Sequence, residues 1–179
     1  LQLPPGVKLE SAPEGSTISQ MLDRGEIDGF MAPRPPSEQA LRNPNIGWLF
    51  DDPTATARDY YKRTGIFPIM HLTVIRREVY EQHPQIAQSL YEAFVQAKAV
   101  ALERMRYQGA LRYMLPWLPD DIEEIDEVFG GDPWPYGIEA NRPTLQALVN
   151  YLHQQGLIAR APRIEDLFVP VTEPVLAAP

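Results

Sequence analysis

The chain has 179 residues, 44% of them hydrophobic and 22% charged, the balance of an ordinary globular protein with one core or two small lobes. A formal net charge of −8 argues against nucleic-acid binding, which rests on basic phosphate contacts, and zero cysteines exclude disulfides, thiolate nucleophiles and Cys-ligated zinc. No uncharged apolar run is long enough to span a membrane. The 19 prolines are about twice the usual ~5% share; scattered between periodic segments, they read as rigid connections and not as disorder. The chain opens on Leu1 and enters a strand pattern within ten residues, with no signal-peptide pattern, so we expect a piece of a longer protein.

Val7-Lys8-Leu9-Glu10 alternates apolar and charged residues, which predicts a strand. Thr17-Ile18-Ser19-Gln20 fits a capping box, and the helix it opens should stop at Gly25. A second short strand is expected over 27–32, closed by Pro33-Arg34-Pro35-Pro36. Strand, helix and strand in this order predict a right-handed βαβ unit. One or two helical turns follow over 37–42, then a short apolar segment at 46–50 and a helix over 54–63 ended by Thr64-Gly65. The strongest strand pattern covers 66–75, with a bend or an edge position at Pro68. Pro84 opens the longest helix, to about Tyr107, with Ile86, Leu90, Ala93, Phe94, Ala97, Ala101 and Met105 as its apolar stripe. Further helices are expected over 110–115, 121–129 and 143–155, with a tight turn at Gly130-Gly131-Asp132-Pro133-Trp134-Pro135-Tyr136-Gly137. The tail from Val169 should be loosely held. An α/β front thus leads into a mainly helical back.

Open α/β sheets bind ligands beyond the carboxyl ends of their strands, where this chain has two candidate loops. The amides of Ser16 and Thr17, at a helix start, can meet an anion, and Arg34 can grip a carboxylate in two-pronged fashion. The bland alternatives are a plain helix cap and a surface arginine. His71 lies inside an apolar strand pattern, either as a satisfied core histidine or as a general acid or base, imidazole's ordinary pKa being near 6.5. Tyr61 and Arg63 bring an aromatic and a cationic group just before it; Trp134 and Tyr136 sit in the clamped turn, where rigid packing is the bland account. The acid pairs Asp51-Asp52, Asp120-Asp121 and Glu123-Glu124 lack a histidine at ligand spacing and read as solvated. No phosphate-binding glycine loop, Gly-x-Ser-x-Gly or His-Glu-x-x-His is present. These residues point to an anion-binding cleft without naming a reaction.

Three stretches carry a resemblance: 21–28 (Met-Leu-Asp-Arg-Gly-Glu-Ile-Asp), 60–71 (Tyr-Tyr-Lys-Arg-Thr-Gly-Ile-Phe-Pro-Ile-Met-His) and 132–137 (Asp-Pro-Trp-Pro-Tyr-Gly). The chain resembles the later part of a member of the 4,5-dihydroxyphthalate decarboxylase family. The first stretch is common among solute-binding proteins; the other two are much more specific. Gln85, where a Trp is expected after the proline, is a departure at a helix start. The resemblance implies an α/β, periplasmic-binding-protein-like type II fold, here partial. Residues 1–66 would belong to lobe two, 67–168 would hold the return strand and C-terminal helices of lobe one, and 169–179 the tail.

It also implies a substrate: a hydroxylated aromatic dicarboxylate that loses CO2 in an interlobe cleft. His71 would be the catalytic proton donor, with Ser16, Thr17, Arg34, Tyr61, Arg63, Trp134 and Tyr136 in substrate binding. No cofactor is expected, a divalent metal stays open, and so does assembly into a homo-oligomer. The alternative is a solute-binding protein that captures a small organic anion or heteroaromatic for a transporter. A cytoplasmic enzyme is expected in the first case and a periplasmic protein in the second.

Overall fold

The computed structural model describes residues 3–107, 109 and 112–172. The chain divides into two compact units, Leu1–Ala57 and Arg58–Pro179.

In the first unit the predicted capping box forms as read. Thr17 Oγ1 accepts from the Gln20 N–H at 3.2 Å, and Gln20 Oε1 accepts from the Thr17 N–H at 2.9 Å, opening helix α1 (Ile18–Asp23). Gly25 stands at φ +69°, the left-handed conformation that halts a helix at least cost when no Cβ is present. Helix α2 (Glu38–Arg42) starts from Ser37, whose side chain accepts from the Ala40 N–H. The two helices are joined by side chains: Gln39 Nε2 donates to Asp23 Oδ2 at 2.6 Å, and Asn43 Nδ2 donates to the Asp23 carbonyl at 3.0 Å and to its Oδ1 at 3.1 Å. Helix α3 (Pro53–Thr64) covers the predicted 54–63, passes from the first unit into the second after Ala57, and ends at Gly65, also left-handed.

None of the expected strands at 7–10, 27–32 and 66–75 is assigned among the described residues. Alternation supplies a strand's side-chain pattern, but a strand is made by ladder bonds to a neighbour, and no described segment provides one. The helix of the expected βαβ unit is therefore present without its ladder.

The second unit contains α4 (Arg77–Gln82), α5 (Gln85–Arg106), α6 (Leu118–Phe129), α7 (Ile138–Gln154) and a 3₁₀ turn at Ile164–Leu167. Its buried apolar residues are Ala87 and Val95 of α5, Leu118 and Ile122 of α6, Leu145 and Val149 of α7, and Ile164. On α5 the buried pair lies beside the predicted stripe, and Phe94 is 43% exposed. Helix α6 starts three residues earlier than the expected Asp121, and Pro119, ahead of that expected start, sits in its first turn. An N–H there has no intrahelical acceptor to lose. Helix α7 likewise begins at Ile138, ahead of Pro143, which it carries internally at the loss of one backbone bond. The expected helix over 110–115 falls partly on residues outside those described, and 112–115 are not helical.

Two helix side chains act where a ladder would. Thr144 Oγ1 of α7 accepts from the Phe67 N–H at 3.1 Å and donates to its carbonyl at 3.2 Å. Gln88 of α5 does the same for Thr172, accepting from its N–H at 2.8 Å and donating to its carbonyl at 3.1 Å. The tail is thus held at Thr172, and the expected loose segment beyond it lies outside the described residues. Tyr61, Phe67 and Phe129 pack their rings together, with centroids 4.6 to 6.1 Å apart.

The 3₁₀ turn is tied to α7 by Arg142, whose Nη2 reaches Glu165 Oε1 at 2.9 Å and also pairs with Glu139. Hydrogen bonds hold both carboxyls below the ordinary carboxylate value: Arg142 is the leading cause at Glu139, while Glu165's own backbone contributes first and Arg142 second. A carboxyl lowered by folding stabilises at pH above its unfolded value, and that contribution disappears as pH falls through the lowered folded value. The protection factors of the amides across 164–167, which correct for the intrinsic slowing of exchange in acid, should therefore fall on acidification below the ordinary carboxylate value. In Glu165→Gln the pH-dependent part of that change should be much reduced; an unchanged pH profile would show that the pair does not hold the turn.

Candidate functional site

The first unit carries three of the candidate residues. The Ser16 N–H donates to the Pro13 carbonyl at 3.0 Å and the Thr17 N–H to Gln20, so both amides read as anion ligands already have acceptors within the chain. Their hydroxyls are differently placed. Ser16 Oγ accepts from Arg24 Nη2 at 2.7 Å and Thr17 Oγ1 accepts from the Gln20 N–H, which leaves each O–H to donate. Arg24 is itself held by Glu26, 2.6 Å from its Nε, which raises the guanidinium's pKa and lowers that of the carboxyl. Arg34 is exposed and has no hydrogen bond or ion pair among the described residues. Its loop closes onto α1, because the Ser37 N–H donates to Ser19 Oγ in the first turn of α1 at 2.7 Å. This unit thus holds a free guanidinium and two hydroxyls with an O–H to donate.

The second unit carries the others. His71 is exposed, within a stretch whose Met70, Leu72 and Val74 are 68%, 65% and 88% exposed. It makes no hydrogen bond among the described residues, so both ring nitrogens remain available for proton transfer. Tyr61 belongs to the aromatic cluster with Phe67 and Phe129, and Arg63 Nε pairs with Asp59 Oδ2 at 2.8 Å along α3. Both sit just upstream of His71 in the chain.

The turn at 130–137 is the most completely built feature. Lys98 of α5 donates from Nζ to Asp132 Oδ2 at 2.5 Å and to the Trp134 carbonyl at 2.9 Å, and stands 4.2 Å from the centre of the Tyr136 ring. Asp132 Oδ1 accepts from the Trp134 N–H at 3.1 Å. Arg106, two turns beyond Lys98, donates to the Gly131 carbonyl at 2.9 Å and to Asp126 Oδ1 at 2.5 Å. From α7, Asn141 Nδ2 donates to the carbonyls of Pro135 at 2.7 Å and Gly137 at 2.8 Å. Pro133 is buried, whereas the Trp134 and Tyr136 side chains remain 60% and 41% exposed. The turn's backbone is thus fixed while its two aromatic residues stay accessible. Lys98, Arg106 and Asn141 did not stand out in the sequence, because each acts on residues far from it along the chain.

No protein-family model matches the chain. Among curated proteins it is 39% identical over 172 residues to "4,5-dihydroxyphthalate decarboxylase" of Comamonas testosteroni, covering 96% of this chain and 52% of that protein. It is also 42% identical over 62 residues to the protein of the same description from Pseudomonas putida, covering 35% of this chain and 24% of that one. The chain belongs to the 4,5-dihydroxyphthalate decarboxylase family. It spans about half the length of the first of these relatives. Of the stretches that carry the likeness, 21–28 holds the end of α1 and its Gly25 stop, 60–71 runs from α3 into the His71 segment, and 132–137 is the clamped turn. Among the described residues no helix is long and apolar enough to cross a membrane.

Proposed function

We propose that the protein is a non-oxidative decarboxylase of a hydroxylated aromatic dicarboxylate resembling 4,5-dihydroxyphthalate, bound in the interlobe cleft of a type II periplasmic-binding-protein-like fold. The observation that carries the reading is 39% identity over nearly the whole chain to a protein described as that decarboxylase. In such a substrate each hydroxyl is para to one carboxylate. Partial loss of a phenolic proton pushes electron density onto the ring carbon that bears the leaving group. His71 delivers a proton to that carbon, the bond to the carboxylate carbon then breaks, and CO2 departs with the ring restored to aromaticity. The retained carboxylate is gripped by Arg34, with the Ser16 and Thr17 hydroxyls as donors, since the amides of those residues are engaged. Trp134 and Tyr136 offer ring faces to the substrate, and Tyr61 and Arg63 support the His71 side.

The test is to incubate the full-length gene product with 4,5-dihydroxyphthalate, following CO2 and the dihydroxybenzoate product with and without a chelator. Turnover supports the reading, and chelator sensitivity reports whether a metal takes part. Saturable binding without turnover would overturn the decarboxylase assignment. Arg34→Met should raise KM by about 10- to 100-fold, the range expected when one charge-assisted hydrogen-bonded contact is lost. An unchanged KM would remove Arg34 from the site.

A further inference from the structure

We infer that Lys98 is a positioning residue of the substrate site, one that holds the Asp132–Gly137 turn so that Trp134 presents a preformed aromatic surface; the substrate contact itself rests on the function proposed above. All three donors of an ammonium group are accounted for by its surroundings. Two go to Asp132 Oδ2 and the Trp134 carbonyl, and the third side faces the Tyr136 ring. The side chain is 14% exposed and that of Asp132 31%, so the pair is largely withdrawn from water and its geometry is kept. Lys98 has no donor left for a carboxylate, which separates it from Arg34.

What the lysine controls is the peptide on both sides of the Trp134 Cα. It fixes the carbonyl directly and, through Asp132, the N–H. Asn141 holds the next carbonyl and Arg106 the one before Asp132. An indole that is 60% exposed on so constrained a backbone has little to contribute to folding through burial. Held in place beforehand, it would lose little conformational freedom on meeting a flat ring, the physical meaning of preorganisation.

The experiment uses the full-length gene product with every other tryptophan, including the exposed Trp48 and Trp117, changed to Phe, which leaves Trp134 as the sole indole reporter. Fast local motion is read from time-resolved fluorescence anisotropy, and KM and kcat are read with 4,5-dihydroxyphthalate. In Lys98→Met the amplitude of Trp134 motion should rise and KM should increase about 2- to 12-fold with kcat nearly unchanged. Lys98→Arg should recover most of both. The double variant Lys98→Met/Asp132→Asn removes both charges together, so that loss of fold from an unpaired Asp132 is not mistaken for loss of positioning. It should still show the increased motion.

Unchanged Trp134 motion in a folded Lys98→Met or double variant would overturn the inference. So would a lowered melting temperature with KM unmoved, the signature of a merely structural residue. Increased motion and KM in the lysine variants, together with Trp134→Ala leaving KM as it was, would overturn the assignment of the contact to Trp134 and with it this inference. Absence of turnover in the unsubstituted parent would instead reject the proposed function, and the anisotropy comparison would then decide the positioning role alone.

Discussion

Under the proposed function, replacing His71 by Gln should lower kcat for 4,5-dihydroxyphthalate by about 10²- to 10⁴-fold in the full-length gene product, the range contributed by a positioned general acid. Glutamine keeps a polar side chain of similar reach but cannot transfer a proton, so KM should move far less than kcat. The expectation rests on the side chain's availability: no described residue hydrogen-bonds its ring nitrogens. It also rests on position, since His71 closes the 60–71 stretch that carries the resemblance. Steady-state turnover checks it, and undiminished turnover would take His71 out of the mechanism.

The second large effect is on stability. Leu145 is 6% exposed on α7 and belongs to the buried set with Val149, Ile122 and Ile164. Truncating such a leucine removes its transfer free energy and leaves a cavity, so Leu145→Ala should cost about 2–5 kcal/mol. Folded proteins have only about 5–15 kcal/mol in total. Leu148 lies on the same helix at 54% exposure, and Leu148→Ala should stay within about 0.5 kcal/mol. Urea unfolding of the two variants makes the comparison; equal losses would mean that the face assigned to the core is wrong. Because α7 also carries Asn141 and Thr144, loosening it should release the 130–137 turn and the Phe67 backbone together.

Much of the local structure is legible in residue order. Thr17 and Gln20 specify a capping box, because the partners are three residues apart and one helical turn brings them together. Gly25 and Gly65 stop helices because the left-handed conformation costs a glycine almost nothing. The long helix α5 follows from three-and-four spacing over 22 residues. The strand patterns at 7–10, 27–32 and 66–75 read equally clearly, yet no strand results among the described residues, since strand formation depends on a neighbouring chain segment and not on the pattern alone. Prolines mislead for a related reason. Pro119 and Pro143 look like boundaries, but the first lies where no intrahelical N–H is needed and the second is tolerated inside α7 at the loss of one bond.

For the candidate site, the sequence by itself determined which side chains have suitable chemistry: an imidazole at 71, a guanidinium at 34, hydroxyls at 16 and 17, and two aromatic rings in a proline-bounded turn. It also carried the resemblance that the comparison with curated relatives then supported. Only the tertiary structure decided which donors are still free. The amides of Ser16 and Thr17 look available until Pro13 and Gln20 are seen to take them, and Lys98 looks like a surface lysine until Asp132 and Trp134 are found against it. The reason is that donor capacity belongs to the residue, whereas its use depends on what lies within about 3 Å, and for Lys98 those partners are 34 and 36 residues further along the chain.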